Sequence, residues 1–158
     1  MNIRPLAEEE RDQVIASGLG LARLPRDDGS FYLVAWDGDA PAGHAHLALT
    51  DPPEVQDVEV LPEHRGRGIG TALVEAAGRE AAARGFDLLT ITVSTAKPQV
   101  QALYERAGFR DAGAPLKRVT GTVLIRTGPL EVDDTLRTLS ISLNPVRRTS
   151  DTDPRRDT

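Results

Sequence analysis

The sequence predicts one α/β (α+β) domain in which a mixed sheet carries helices on its faces. The chain has 158 residues, the size of a single domain, and 39% of them are apolar, enough for one core. Its first half contains short strand-like runs separated by turns. Its second half alternates strands with two helical segments, an order typical of a mixed sheet covered by helices.

The first half of the chain contains four strand-like segments and one helical segment. Acidic residues open the helix, because a helix N-terminus favours negative charge. An Asp-Gly-Asp turn signal joins the second and third strands into a hairpin. In the fourth strand, Val58 and Val60 face one way, and Asp57 and Glu59 face the other. The strands cover residues 2–5, 31–36, 43–49 and 55–61, and the helix covers residues 7–18.

The second half follows a glycine-rich loop with helix, strand, helix and strand. Gly85 ends the first helix, Pro98 opens the second and Gly108 closes it. The intervening strand is continuously apolar, as expected for a strand buried on both faces. The helix over residues 69–84, the strand over 88–93 and a last strand over 120–127 complete a domain spanning residues 1–130. Residues 131–158 are predicted to form a polar tail that is flexible toward its end.

Composition and charge exclude several classes of function. The absence of cysteine excludes a disulfide scaffold, a thiolate zinc site and a cysteine nucleophile. A formal charge of −5 argues against a nucleic-acid-binding protein. No apolar stretch is long enough for a signal peptide or a membrane span, so we expect a cytoplasmic protein that does not bind membranes. The charge is uneven, at −9 over residues 1–64 and +3 over residues 65–144.

The loop between the fourth strand and the next helix predicts a phosphate-binding site. Three alternate glycines allow positive φ angles and the close approach of a ligand. The first N–H groups of the helix have no partners within the helix, and two arginines add positive charge. The spacing differs from the nucleotide-triphosphatase loop and from the dinucleotide fingerprint. The loop residues are Arg65, Gly66, Arg67, Gly68, Ile69, Gly70 and Thr71.

Two motifs in this order resemble the GNAT superfamily of acyl-CoA-dependent N-acetyltransferases. Residues 65–70 match the family's pattern Arg/Gln-x-x-Gly-x-Gly/Ala, and residues 103–109 match its Leu-Tyr-Glu helix ending in Gly-Phe. The resemblance covers residues 2–127. It implies a GNAT-like mixed, mostly antiparallel sheet with two splayed central parallel strands and helices on both faces.

The resemblance also implies how acetyl-CoA, the acyl donor, would bind. Its pyrophosphate would lie on the amides of residues 65–71. Its pantetheine would pair with the backbone of Val58, Glu59 and Val60 between the parted strands. An N–H near Val58 would stabilise the developing oxyanion, which is worth roughly 3–4 kcal/mol per donor. The family often has asparagine where this chain has Lys97, so either Ser94 or Thr95 caps the helix instead or that contact is lost.

Acyl transfer to an amine needs a base and an acid. The resemblance makes Tyr104 the acid that protonates the departing thiolate, although its helical stripe is equally suited to core packing. Glu54 matches the position of the base, with Asp57 and Glu59 as competitors on the opposite face of the strand. His44 and His46 share a strand face without a third metal ligand, so no metal is expected.

These features together predict an N-acetyltransferase that uses direct attack in a ternary complex. The expected acceptor is a small-molecule amine or a peptide amine. The alternatives are a non-catalytic acyl-CoA-binding sensor or interaction domain, and a protein N-terminal or lysine acetyltransferase. The sequence leaves the oligomeric state open, a homodimer included.

Overall fold

The computed structural model describes residues 1–144, and residues 145–158 of the predicted tail lie outside the described residues. Eight strands form one mixed sheet in the order β1-β2-β3-β4-β5-β8-β6, and β7 pairs with β8. The helices are α1 (Arg11–Ala16), α2 (Ile69–Ala83) and α3 (Pro98–Arg106). The strands are β1 (Asn2–Pro5), β2 (Phe31–Asp37), β3 (Ala40–Ala48), β4 (Glu54–Val60), β5 (Leu88–Ser94), β6 (Arg110–Asp111), β7 (Lys117–Ile125) and β8 (Gly128–Ser142).

Two apolar clusters cover the two faces of the sheet, because side chains alternate along each strand. Leu33 and Ala35 of β2 pack with the buried side of α2, which includes Leu73 and Ala77. Val34 and its neighbours on the opposite face pack with α1 and the segment that follows it. The predicted architecture of a mixed sheet with helices on both faces is therefore confirmed.

The parallel pair β4 and β5 forms the centre of the sheet and parts early. Its ladder consists of the pairs Glu54↔Thr90 and Val55↔Ile91. The remaining contacts of β4 within the sheet are to β3, and β5 pairs along its whole length with β8. The two strands therefore diverge beyond Val55, as the predicted splay requires.

Strand β8 corrects the predicted end of the domain. Residues 131–142 do not start a polar tail, because they form most of a 15-residue strand. The second half of β8 pairs with β5, and Leu139 on it is fully buried. The first half pairs with β7 and is polar on one side because that side is exposed.

Most predicted elements have the expected positions, with ends that differ by a few residues. The predicted helix over residues 7–18 is shorter, since a 3-10 turn at Glu8–Glu10 precedes α1. Gly85 and Gly108 have φ angles of 89° and 109° directly after α2 and α3, as glycines that end helices do. No helix within residues 1–144 is long and apolar enough to cross a membrane.

Candidate active site

The glycine loop leads from the end of β4 into the N-terminus of α2. Gly66 and Gly68 have φ angles of 79° and 75°, and Gly68 is the residue that caps α2. A Cβ atom added at either glycine would meet no other atom within 4 Å. These glycines therefore face open space, and their positive φ angles, rather than close packing, favour glycine at these positions.

The space in front of this loop is an open cavity of about 270 Å³. Six of the seven predicted loop residues line it, together with Val60, whereas Arg67 does not. The Arg65 Nε atom donates to the Val60 carbonyl at 3.0 Å, which holds the side chain against the end of β4. The first N–H groups of α2 point out of the helix at this end, where the helix dipole is positive. The donor set suits a diphosphate.

A second cavity, of about 170 Å³, lies where β4 and β5 part. Glu54 and Val58 of β4, Thr92 of β5 and Tyr104 of α3 line it. The structure thus brings the predicted acid Tyr104 and the predicted base Glu54 to the same cavity. Tyr104 is 8% exposed, and burial raises the pKa of its hydroxyl. The side chain therefore remains protonated at neutral pH.

Tyr104 belongs to the core as well as to this cavity. Its ring meets the ring of Phe109 edge-on, with centroids 6.0 Å apart. Gly108, just before Phe109, is closely packed, since an added Cβ would lie 3.1 Å from the Ile141 side chain. Tyr104 can therefore be a core residue and a residue of the candidate site at the same time.

A β-bulge interrupts the alternation of β4. The register against β3 shifts by one residue between the pairs His46↔Gln56 and His44↔Glu59. The extra residue on β4 is accommodated by Asp57, whose φ angle of 52° is rare outside glycine. The prediction that Asp57 and Glu59 lie on the opposite face from the first acid of the strand is therefore wrong. The bulge turns all three carboxylates to one face.

The Asp57 side chain is held by donors from two other segments. Its Oδ2 atom accepts from the Tyr32 hydroxyl at 2.6 Å and from the Ala22 N–H at 3.1 Å. The Tyr32 oxygen in turn accepts from the Arg23 N–H at 2.8 Å. Burial, and then the hydrogen bond to Asp57, raise the pKa of Tyr32. These bonds fasten the segment after α1 against the bulge.

His44, which is fully buried, supports the same bulge from β3. The Leu21 N–H donates to its Nε2 atom at 3.1 Å, so the proton of the neutral ring lies on Nδ1. Nδ1 is 2.9 Å from the Asp57 carbonyl oxygen and donates to it. The Glu59 carboxylate, 3.5 Å from Nε2, accepts from the Gly20 N–H at 2.7 Å. Both ring nitrogens of His44 are therefore hydrogen-bonded to other residues of the chain.

His46 has a different partner, the Gln56 side chain, at 3.2 Å from Nδ1. Burial lowers the pKa of His46. Within the described part of the chain, no group of three or more His, Asp or Glu side chains could hold a metal, and this includes any group containing His44 or His46.

Glu54 differs from the other two carboxylates in having fewer partners. The Gln56 amide donates to its Oε1 atom at 3.3 Å, the longest of the bonds to these acids. It lines the cavity between the strands and also a larger cavity beside it, of about 480 Å³. One wall of the larger cavity is the β7–β8 hairpin. Glu54 therefore lies between the two spaces.

Several of these residues were not found from the sequence. Tyr32, Arg23 and the β7–β8 hairpin lie far along the chain from the two motifs, and no local pattern marks them. Lys97 caps α3 without a side-chain hydrogen bond. The Ser94 hydroxyl accepts from the Ala96 N–H, which precedes the helix, so Ser94 does not take over the cap of α3.

Comparison with known proteins agrees with this arrangement. The model of the Acetyltransferase (GNAT) family matches residues 3–109. A mycothiol acetyltransferase from Acidothermus cellulolyticus is 39% identical over 129 residues, which cover 71% of this chain and 38% of that protein. A streptothricin acetyltransferase from Streptomyces lavendulae is 33% identical over 61% of this chain and 52% of its own length. The chain thus spans about half or less of these relatives.

A solved structure extends the similarity to the fold. The spermidine/spermine N-acetyltransferase of Vibrio cholerae superimposes with a TM-score of 0.68 at 16% sequence identity. The match covers 94% of this chain and 96% of that one. Its coverage exceeds the matched range of the family model and includes strands after α3. With most of its residues matched by the family model, the chain belongs to the acetyltransferase (GNAT) family.

Proposed function

We propose that this protein transfers an acetyl group from acetyl-CoA to a primary amine by direct attack within a ternary complex. The observation that carries the proposal is the cavity between β4 and β5, which Tyr104 and Glu54 line together. Family membership and the acetyltransferase names of the relatives support the reaction class. The absence of cysteine from the chain favours direct attack over a cysteine-bound acyl group.

The acyl donor would bind across the glycine loop and along β4. The loop cavity offers open space at Gly66 and Gly68 and free N–H groups at the start of α2, which suits the pyrophosphate. Arg65 adds positive charge at the same place. Beyond Val55 the parted strands leave the side of β4 that faces β5 available for the pantetheine. Residues 58–60 lie on that path.

The reaction forms a C–N bond and breaks a C–S bond. The amine nitrogen attacks the thioester carbonyl carbon and loses a proton, and the sulfur leaves with the electron pair of the broken bond. Tyr104, protonated because burial raises its pKa, supplies a proton to the sulfur. The tyrosinate is then reprotonated by water.

Glu54 is the best suited of the three carboxylates to receive the proton of the amine. Asp57 and Glu59 each accept a short hydrogen bond, from Tyr32 and from the Gly20 N–H respectively. Glu54 accepts only the longer bond from Gln56 among the hydrogen bonds of the described residues. Its oxygens are therefore the most available to an incoming ammonium group.

The test is release of free CoA thiol when the protein is given acetyl-CoA and a panel of amines and peptides. A thiol reagent reports only CoA because the chain has no cysteine. Tyr104→Phe and Glu54→Gln should each lower kcat by about 100-fold or more, with the dissociation constant for acetyl-CoA unchanged. Glu105→Gln, at an exposed position next to the tyrosine, serves as the control and should keep full activity.

The sensor alternative predicts a different result. A non-catalytic acyl-CoA-binding domain would be stabilised by acetyl-CoA, by roughly 2.7 kcal/mol at 100 times the dissociation constant, but would release no thiol with any amine. The absence of a thermal shift with millimolar acetyl-CoA would contradict both functions.

A further inference from the structure

The β7–β8 hairpin has one apolar face and one polar face. Cross-strand pairs such as Val123↔Leu130 belong to the apolar face, and the alternating pairs belong to the polar face. On the polar face, Arg118 forms an ion pair with Asp133. On the apolar face, Leu130 is 46% exposed and Val123 is 38% exposed, so this face is not buried by the core of the protein.

The apolar face of the hairpin forms one wall of the cavity of about 480 Å³ that Glu54 also lines. Its apolar lining includes Val119, Val123, Leu130, Val132 and Leu136. Glu54 and Asp57 of β4 line this cavity as well, and both also line the cavity between β4 and β5. The hairpin wall is thus mostly apolar, with Lys117 and Asp134 as its charged members, and the space is acidic where it joins the site of acyl transfer.

The hairpin is fixed in this position by Arg126 at its turn. The Arg126 Nε atom donates to the Gly20 carbonyl at 2.8 Å, and its N–H donates to the Ala22 carbonyl at 2.9 Å. The same segment binds Asp57 and Glu59 through its own N–H groups. One segment therefore ties the apolar wall to the acidic end.

We propose that the acceptor bound in this cavity is a primary amine that carries an aliphatic or aromatic group. This rests on the proposed function. The ammonium group lies at Glu54, and the apolar group lies against the hairpin. A polyamine fits less well, because its second ammonium would lose water against apolar side chains. Lys117 on the hairpin wall would also repel a second positive charge, whereas Asp134 on the same wall already accepts hydrogen bonds from the Ser94 hydroxyl and the Thr135 N–H.

The experiment compares two matched amine series by kcat/KM at fixed acetyl-CoA. From methylamine to pentylamine, kcat/KM should rise by up to about fourfold for each buried methylene group. Pentylamine should exceed 1,5-diaminopentane, which has the same chain length with a second charge, by at least tenfold. A flat chain-length series, or a preference for the diamine, would overturn the proposal.

Matched variants separate the cavity from other exposed apolar positions. Leu130→Asn should abolish the chain-length preference, whereas Leu116→Asn, at a position that is 50% exposed and outside the cavity, should leave it unchanged. If Leu130→Asn instead converts a dimer to a monomer and leaves the preference intact, the apolar face is an interface between copies and the proposal is overturned.

A separate measurement distinguishes failure of the proposed function from failure of the proposed amine site. If no amine releases thiol, calorimetric titration of the CoA-bound protein with pentylamine and with 1,5-diaminopentane still tests the cavity. Tighter binding of pentylamine, lost in Leu130→Asn, supports an apolar amine site without catalysis. Equal binding of both amines, or no binding, overturns it.

Discussion

Gly68→Ala should lower stability and weaken acetyl-CoA binding, whereas Gly38→Ala should lower stability alone. Both glycines have positive φ angles, 75° and 60°, and an added Cβ meets no atom within 4 Å at either position. The conformational free-energy cost of alanine should therefore be similar at the two positions. The positions differ in location, since Gly38 lies in the β2–β3 turn and Gly68 lines the loop cavity.

The magnitudes follow from these geometries. A non-glycine residue in the left-handed region costs about 1–2 kcal/mol, so both variants should lose that much free energy of unfolding. For a domain of this size, each kcal/mol lowers Tm by about 2–4 °C. The methyl group of Gly68→Ala also occupies space in front of α2. Loss of one hydrogen bond to a charged phosphate, worth about 1.5–3 kcal/mol, raises Kd about 10- to 150-fold.

Urea denaturation without ligand measures the first effect, and calorimetric titration with acetyl-CoA measures the second. Agreement between the two variants in the free energy of unfolding establishes that they are matched. A wild-type Kd for Gly68→Ala under those conditions would refute the phosphate site, because the added methyl would then occupy no ligand space. Equal weakening of Kd in Gly38→Ala would show that the effect is general instability.

Two further predictions concern the histidines behind the site. Since burial lowers the pKa of His46, the unfolded chain takes up a proton there more readily than the folded one; the free energy of unfolding should fall as pH drops below about 6.5. His46→Gln should show a shallower decline in pH-dependent urea denaturation, and an unchanged slope would contradict this. His44→Ala should cost about 2–4 kcal/mol and lower kcat even when folded, because the Leu21 N–H and the Asp57 carbonyl lose their partner. Full activity in folded His44→Ala, measured by thiol release, would argue against its support of the bulge.

The two sequence motifs predicted the parts of the site that are encoded locally. A glycine loop followed by a helix fixes its own geometry, because positive φ angles and unpaired N–H groups depend on neighbouring residues. The same holds for the helix of Tyr104, which Pro98 opens and Gly108 closes. The predicted positions of the glycine loop and of this helix therefore agree with the structure.

The bulge at Asp57 could not be predicted, because it depends on pairing with β3. The sequence of β4 alternates acceptably without it, and only the register against His44 and His46 shows that one residue is extra. Asp57 tolerates its positive φ angle better than a β-branched residue would, but that signal is weak in isolation. The shared face of the three acids is thus a tertiary property.

Strand β8 was missed for a different reason. Leu139 and Ile141 alternate with serine and threonine, which is a strand pattern that the sequence does contain. The preceding residues look like a polar tail because one side of the hairpin is exposed and the other lines a cavity rather than the core. Polarity of a segment therefore indicates partial exposure and does not by itself exclude a strand.

The excess of acidic residues in the first half of the chain does not form one acidic site in the structure. The early acids do not act together, since Glu10 pairs with Arg4, while Asp57 and Glu59 accept hydrogen bonds from other segments. In the proposed function, the attraction for an ammonium group therefore rests mainly on Glu54, where the hydrogen bonding leaves oxygens available. Because charges beyond about 8–10 Å are screened at physiological salt, one such carboxylate inside a cavity contributes more than a surplus of acids elsewhere. The proposed choice of acceptor then rests on the mostly apolar hairpin wall rather than on net charge.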